Sequence, residues 1–377
     1  MASSVYWAKL TIKNPADHKL AKIRRICKAV GLAEHVKPFE VAPHDQLVAV
    51  KLHFGERGND TYLHPTFVRE IVDQVKACGA KPFLTDTCTL YKVWRHNGFD
   101  HLETAYLHGF TPYIVNAPVI IADGVTSQAW REVPINLKHF QAVKIADGIL
   151  SANAMVVVSH FKGHRFGGFG GALKNLAMGC APQAGKIDQH GRSIVVRGNC
   201  IGCGQCVQIC PQQALSLVKV EKGRRCVVAK ERCFGCYECM SVCKQGAIGI
   251  DFPNEYADFS ERMVEYAYGA IKGKEGRLVF INFLLNITPQ CDCAAWSDPV
   301  LVPDIGILAS LDPVALDTAC FDLVKDTPSL RKIGEHAFNS KGYDKFQAEH
   351  PDTRGYHQVE YAESIGMGSR TYELIEV

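Results

Sequence analysis

The sequence has no apolar run long enough to cross a membrane and no large excess of one charge. A spanning helix needs about 18 consecutive apolar residues, and no stretch of the chain reaches that length. The 42 lysines and arginines nearly balance the 39 acidic residues, so neither a nucleic acid nor an anionic membrane is indicated as a partner. Residues 1–6 lack the basic and apolar regions of a signal peptide. We therefore expect a cytoplasmic protein without a membrane span.

Cysteine, by contrast, is abundant, with 16 in the chain. Half of them fall into two motifs of the form Cys-x2-Cys-x2-Cys-x3-Cys, which begin at Cys200 and Cys233. In two-cluster ferredoxins three closely spaced thiolates bind one cluster, and the fourth cysteine ligates the other cluster. The spacing predicts two [4Fe-4S] clusters with these ligands: Cys200, Cys203, Cys206 and Cys243 for cluster I, and Cys233, Cys236, Cys239 and Cys210 for cluster II.

The two motifs are copies of one unit. Each cysteine of the second motif lies 33 positions after its counterpart, as Cys200 and Cys233 show. The alternatives are a zinc ribbon or disulfides, but zinc sites pair one CxxC with a distant CxxC or with histidines. Disulfides are rare in a reducing cytoplasm. We therefore expect an inserted bacterial-type 2[4Fe-4S] ferredoxin-like α+β module over residues 190–252.

Strand-like and helix-like segments alternate on both sides of this module. Apolar strands such as 47–54 and 154–160 are separated by amphipathic helices, and further helices are expected over 65–78 and 138–150. This alternation predicts an α/β body with a mostly parallel sheet flanked by helices. Because the pattern resumes after the module, the body has a first part (1–189) and a second part with a C-terminal tail (253–377).

Polar residues follow four of the predicted strands. In open α/β sheets, ligands bind in the crevice at the carboxyl ends of the strands, although a single polar loop residue is more often solvated or structural. Convergence of four strand ends would create a site for a substrate or a second cofactor. Its candidate catalytic residues are His53, Asp86, His160, Lys162, His164 and Lys174.

Two further features have open interpretations. A glycine run before a predicted helix could bind an anion through backbone N–H groups, or it could be a hinge or a packing turn. Its members are Gly167, Gly168, Gly170 and Gly171. Cys291 and Cys293 could bind an additional metal, form a redox dithiol, or be structural cysteines. A metal site would need a further ligand, for which the candidates are His53, His160 or Asp298.

Besides the two cysteine motifs, seven stretches of the chain form a recognisable pattern: residues 51–59, 85–87, 101–110, 159–164, 171–175, 291–293 and 304–317. In these stretches the chain resembles the uncharacterised bacterial and archaeal iron–sulfur centre proteins of domain-of-unknown-function family 362. The resemblance covers nearly the whole chain and implies ferredoxin-type clusters without an established reaction.

Three functions compete at this point. The first is an oxidoreductase in which the clusters pass electrons from a soluble ferredoxin, flavodoxin or reductase to a substrate at the strand ends. The second is a non-catalytic electron carrier or a maturation protein that handles a metal or cofactor through Cys291 and Cys293. The third is a purely structural role, in which the clusters only stabilise the fold of the module, but one cluster would suffice for that.

Overall fold

The computed structural model describes residues 2–12, 14–37, 46–90, 93–191, 194–233, 238–250 and 255–377. One predicted cluster ligand, Cys236, lies outside the described residues. None of the described helices is both long and apolar enough to span a bilayer.

The strands and helices alternate along most of the chain. The strands are β1 (Ser3–Lys9), β2 (Leu47–Lys51), β3 (Lys81–Asp86), β4 (Val119–Ile121), β5 (Trp130–Pro134), β6 (Ala142–Ala146), β7 (Ala154–His160), β8 (Lys162–His164), β9 (Gly168–Gly170), β10 (Ile194–Val196), β11 (Leu215–Lys219), β12 (Arg224–Val228), β13 (Ile248–Ile250), β14 (Leu278–Leu284), β15 (Gly306–Ser310) and β16 (Tyr372–Glu376). The helices are α1 (Lys19–Ala29), α2 (Leu32–Val36), α3 (Pro65–Ala77), α4 (Gly98–Leu107), α5 (Pro112–Val115), α6 (Asp147–Ser151), α7 (Ala172–Cys180), α8 (Gln183–His190), α9 (Gln205–Ile209), α10 (Glu238–Ser241), α11 (Glu255–Ile271), α12 (Pro313–Asp326), α13 (Lys345–Glu349) and α14 (His357–Ser364).

The central sheet has, in the described part of the chain, eight strands in the order β16-β1-β15-β14-β7-β2-β3-β4. The strands from β14 to β4 run parallel to one another. Only β15 is antiparallel to its neighbours, β1 and β14, whereas β16 pairs parallel with β1. The predicted α/β fold with a mostly parallel, helix-flanked sheet is confirmed.

The sheet separates two hydrophobic layers. Alternate residues of β7 point to opposite faces, because successive side chains of a strand do so. Val157 belongs to a buried cluster with Leu176 of α7, and Val158 belongs to a second cluster with Val72 of α3. Burial of such a side chain stabilises the fold by about 1.5–3 kcal/mol. Helices therefore cover both faces, and ligands are left to the strand ends.

The described residues of 194–250 form a small unit with a hydrophobic cluster of its own. Within it β10 pairs with β13 and β11 pairs with β12, both antiparallel. The short helices α9 and α10 complete the small unit. Its cluster contains Ile194, Leu215 and Ile248 together with several cysteines. The small unit lies in sequence between β7 and β14, which are neighbours in the central sheet.

One local prediction is wrong. Residues 138–150 are not one helix, because β6 pairs antiparallel with β5 and the chain becomes helical only at α6. The buried side chains Val143 and Ile145 alternate with the partly exposed Lys144. This two-residue period is typical of a strand with one covered face.

Candidate functional site: a cavity at the strand ends

A cavity opens at the carboxyl ends of β2, β3 and β7, where the strand order reverses. β3 and β4 extend the sheet on one side of β2, whereas β7 and β14 extend it on the other. Ligands bind at such switch points in open α/β sheets. The cavity contains about 790 Å³ of empty space, including its open mouth. Its lining includes all six polar candidates: His53, Asp86, His160, Lys162, His164 and Lys174.

Buried ion pairs form one wall of the cavity. Lys51, the last residue of β2, places its Nζ 2.9 Å from Asp86 Oδ1 and 2.7 Å from Asn175 Oδ1. Arg95 Nε donates to Glu56 Oε2 at 3.0 Å. Burial alone would raise the pKa of Asp86, but the charges of Lys51 and Arg95 hold it below its ordinary value. Sequence reasoning missed Lys51 and Arg95, although the lysine ends an apolar strand.

Both ring nitrogens of His160 contact oxygen atoms of the protein itself. Its Nδ1 lies 2.9 Å from Asp292 Oδ2, and its Nε2 lies 2.8 Å from the carbonyl oxygen of Leu285. Lys162 Nζ joins them, 3.2 Å from Asp292 Oδ2. Burial would raise the pKa of Asp292, but His160 and Lys162 hold it well below its usual range. Since both ring nitrogens face oxygen acceptors, His160 has no lone pair left for a metal.

A second histidine of the cavity, His53, also has an internal partner. Its Nδ1 accepts the backbone N–H of Gly55 at 2.8 Å. Burial, together with the charge of Arg95, holds its pKa well below the usual range. His53 is therefore a neutral cavity residue and does not join the two cysteines.

His164, instead, lies beside Cys291 and Cys293. One potential ligand atom from each of the three residues lies within 4.8 Å of the other two. The hairpin of β8 and β9 causes this arrangement, because Gly163 donates its N–H to the carbonyl of Thr288 at 2.8 Å. The hairpin thus lies against the loop that carries both cysteines. The expectation that His53, His160 or Asp298 completes the group is corrected, since Asp298 accepts a hydrogen bond from Gln290 instead.

The two cysteines have different protonation preferences. The hydrogen bond from Cys293 lowers the pKa of Cys291 well below its ordinary value, and Lys174 and Lys162 add to this effect. Lys174 Nζ lies 3.4 Å from Cys291 Sγ. The pKa of Cys293 is raised by the same hydrogen bond and by burial. The pair is therefore best described as a thiolate and a thiol, which suits either a soft metal or dithiol chemistry.

The hydrogen bonds of His164 affect whether the group of His164, Cys291 and Cys293 can bind a metal. Its Nδ1 accepts the backbone N–H groups of Gly167 at 2.9 Å and Phe166 at 3.3 Å. The Nδ1 atom therefore carries a lone pair, and the ring proton resides on Nε2. Burial keeps the pKa of this histidine well below its usual range, so the ring is neutral. A metal bound here would have to displace either that proton or the two backbone donors.

The glycine run does not leave the start of α7 open to an anion. The N–H groups of Ala172 and Leu173 donate to the carboxylate of Asp317 at 2.8 and 2.9 Å. A side chain at Gly171 would collide with the same carboxylate. Gly170 and Gly171 line the cavity, whereas Gly168, at φ +72°, packs against the backbone of Gly355. An internal carboxylate thus occupies the helix start at which an anion could have bound, and Gly168 has the role of the alternative, a packing turn.

A second hollow lies in the small unit and contains about 350 Å³ of empty space, including its open mouth. Cysteines of both motifs line it: Cys200, Cys203, Cys206 and Cys243. Backbone N–H groups point at the sulfurs, with Cys226 N 3.5 Å from Cys200 Sγ and Ala247 N 3.3 Å from Cys243 Sγ. Ala214 N makes the matching contact to Cys210 Sγ at 3.2 Å. The repeated motif therefore gives a repeated local geometry.

The small unit joins the body beside the cavity. His190 lines the cavity and ends α8, shortly before β10 begins. Phe166 of the hairpin turn packs edge-on against His190, with ring centroids 6.1 Å apart. It also packs against Phe259 of α11, the helix that follows the small unit. The chain thus enters and leaves the small unit next to the edge of the cavity that His164 forms.

Comparisons with known proteins identify a family but no activity. The family described as "Domain of unknown function (DUF362)" matches residues 48–322. No curated protein matches the sequence significantly. Among solved structures, the lactate racemase apoprotein from Thermoanaerobacterium thermosaccharolyticum is similar with a TM-score of 0.35 and 12% identity. The match covers 75% of this chain and 51% of that one, so the chain spans about half the length of that protein. A similarity at this level says nothing about activity.

Proposed function

The chain belongs to the DUF362 family, and we propose that it is an iron–sulfur protein with two [4Fe-4S] clusters that deliver electrons to a ligand in the strand-end cavity. The observation that carries the proposal is the hollow in the small unit. Three cysteines of the first motif and the last cysteine of the second line it together. This combination is the ligand set that the spacing predicts for cluster I.

The residues around the hollow fit such a cluster. Four thiols supply the ligands, and apolar side chains such as Ile201 and Leu217 complete the lining. The backbone N–H groups near Cys200 and Cys243 would stabilise the anionic sulfurs. For cluster II, Cys233 and Cys239 are buried in the hydrophobic cluster of the small unit and Cys210 packs against it, together with the proposed cluster I cysteines Cys200, Cys206 and Cys243. When bound, the two clusters supply one-electron transfer.

The body supplies the binding of the electron acceptor. Its cavity lies at the switch point of the sheet and is lined by buried cations. The attachment of the small unit beside His190 and Phe166 supports transfer in this direction, because the chain enters the small unit from the edge of the cavity. A soluble ferredoxin, flavodoxin or reductase would act as the electron donor.

Iron analysis tests the proposal directly. We expect the full-length protein, purified without oxygen, to contain about eight irons and eight sulfides per chain. Cys243→Ser is expected to remove roughly half of the iron, because it removes one cluster I ligand. The matched control is Cys226→Ser, whose sulfur also lines the hollow but is not a proposed ligand. Fewer than about four irons after reconstitution would contradict the two-cluster proposal.

A second function, metal or cofactor handling, is favoured by one specific observation. His164, Cys291 and Cys293 form a group with the composition of a soft-metal site. This function predicts a stoichiometric zinc or nickel ion in addition to the iron. The extra ion would be lost from Cys291→Ser and from Cys293→Ser, and retained in Cys320→Ser, which changes a buried cysteine elsewhere. Iron alone, with no second metal, would rule against it.

A further inference from the structure

We propose that the strand-end cavity binds a small anionic molecule, one with a carboxylate or phosphate group that Arg95, Lys174 and Lys186 hold. The inference names the substrate class of the proposed function. It rests on the part of that function that assigns the ligand to the cavity and does not depend on the clusters.

Arg95 is the principal observation. Its side chain lines the cavity and is only 2% exposed. Its Nε donates to Glu56, and its Nη1 lies 3.8 Å from Asp86 Oδ2. Its Nη2 is buried and has no hydrogen-bond partner among the described residues. An unpaired buried donor costs about 1–3 kcal/mol, and more when the group is charged. Such a donor beside a cavity indicates an acceptor supplied from outside the chain.

The lysines of the cavity differ in how far they are neutralised. Lys51 uses all three of its N–H groups on Leu52, Asp86 and Asn175. Lys162 pairs with Asp292. Both are therefore structural cations, and neither needs a ligand.

Lys174 and Lys186 are different. Neither makes an ion pair with a carboxylate in the part of the chain that the structure describes. Lys186 donates to two neutral oxygens, Thr87 Oγ1 and the carbonyl of Ala181, each at 2.6 Å. Lys174 contacts the sulfur of Cys291. Both ammonium groups line the cavity, so each can donate at least one further hydrogen bond to a ligand.

This distribution of donors selects the ligand class. Among the described residues that line the cavity, Asp86 carries the one carboxylate, and Lys51 already neutralises it. A neutral ligand could satisfy Arg95 Nη2 but would leave the buried Lys186 without an ion-pair partner among the described residues, which is costly. An oxyanion satisfies both needs, because a guanidinium binds carboxylate or phosphate through parallel N–H groups. A cation would be repelled.

Calorimetric titration of the full-length protein tests the inference. The probes are propanedioate, inorganic phosphate and the neutral propane-1,3-diol, which distinguish the two anion types from a neutral molecule of similar size. We expect one of the anions to bind with a stoichiometry of one and the diol not to bind. Affinity should fall roughly tenfold or more in Arg95→Lys, which keeps the charge but loses the planar fork, and in Lys186→Met.

A matched control and iron analysis complete the experiment. Lys274→Met changes an equally buried lysine outside the described cavity lining and should bind the anion as the wild type does. If Arg95→Lys fails to fold, Lys186→Met decides. The inference is overturned if neither anion binds at up to about 10 mM, if the diol binds equally well, or if Lys186→Met binds like the wild type.

Iron is measured in the same samples. Full iron content without anion binding would contradict only the inference that the cavity binds an anion. Anion binding in a protein without iron would contradict only the two-cluster proposal.

Discussion

The small unit and the strand-end cavity are both rich in groups that bind metals or charges, yet they are built in different ways. In the small unit these groups are cysteine sulfurs from one short motif that occurs twice, and their neighbours are backbone N–H groups. In the cavity they are charged side chains from distant strand ends, and most of them are paired, as Lys51 is with Asp86.

This difference has a physical origin. A thiol can be buried in apolar surroundings without a partner, whereas a buried charge must be paired. The cavity therefore carries counter-ions for most of its charges, as Asp86 is for Lys51, and can form before any ligand binds. The hollow of the small unit contains neutral or weakly polar groups, and an iron–sulfur cluster would contribute part of its folding free energy.

The largest effect is expected from breaking the ion pairs of the cavity. Asp86→Ala should lower the free energy of unfolding by about 3–5 kcal/mol, because Lys51 would be left buried without its counter-charge. Urea denaturation measures the change. The control is Asp147→Ala, which breaks the exposed pair with Arg131 and should cost less than about 1 kcal/mol. Equal losses in both variants would contradict the account.

Removal of iron should separate the two regions. After chelation without oxygen, we expect hydrogen-exchange protection to fall at least about tenfold in β10 to β13, because cluster binding stabilises the small unit. The central strands β7 and β14 should keep their protection, since their clusters of apolar side chains need no metal. Equal loss of protection in both regions, or none in either, would show that the small unit does not depend on iron.

A smaller effect is expected from crowding the hairpin over the cavity. A Cβ at Gly163 would collide with the carbonyl oxygen of Pro289, so Gly163→Ala should destabilise the protein by about 1–3 kcal/mol. Gly198→Ala in the small unit is the control, because nothing lies within 4 Å of the added Cβ. Thermal unfolding of both variants makes the comparison. An unchanged midpoint in Gly163→Ala would mean that the hairpin does not lie against the Pro289 loop as described.

The smallest effect concerns the pH dependence of anion binding. Burial lowers the pKa of Lys186 to about 8. An anion favours the protonated lysine, so its affinity should be constant below pH 8 and fall by up to about tenfold per pH unit above it. Calorimetry between pH 7 and pH 9.5 measures this, and Lys186→Met should abolish the dependence. A fall that persists in the variant would assign it to another group. The charged or titratable neighbours of Lys186 are Asp123, Asp86, Cys88 and Lys51.

The fold and the location of the cavity could be predicted from the sequence because both depend on pattern. Alternating strands and helices predict a parallel sheet, and the carboxyl ends of its strands meet at one edge. The sequence therefore predicts that His53, Asp86 and Lys162 lie together, without knowledge of the strand order. The prediction fails for residues 138–150 because their apolar residues fit both a strand and a helix over so short a run.

The internal partners of the site could not be predicted from the sequence. Asp317 fills the helix start beside the glycine run from 145 positions away, and no local signal links the two. The sequence does not distinguish His160 from His164 as a partner of the two cysteines. Only the β8–β9 hairpin brings His164 beside them. Arg95 lies in a loop without periodicity, so its unpaired nitrogen emerges only from the packing.

Electron paramagnetic resonance of the full-length protein, reduced with dithionite under anaerobic conditions, tests the central claim most directly. The account predicts the signal of two interacting reduced [4Fe-4S] clusters. Cys243→Ser should reduce it to the signal of one cluster, and Cys291→Ser should leave it unchanged, because Cys291 follows β14 in the body and lies outside the small unit. A protein that contains zinc and gives no iron–sulfur signal after reconstitution would contradict the account.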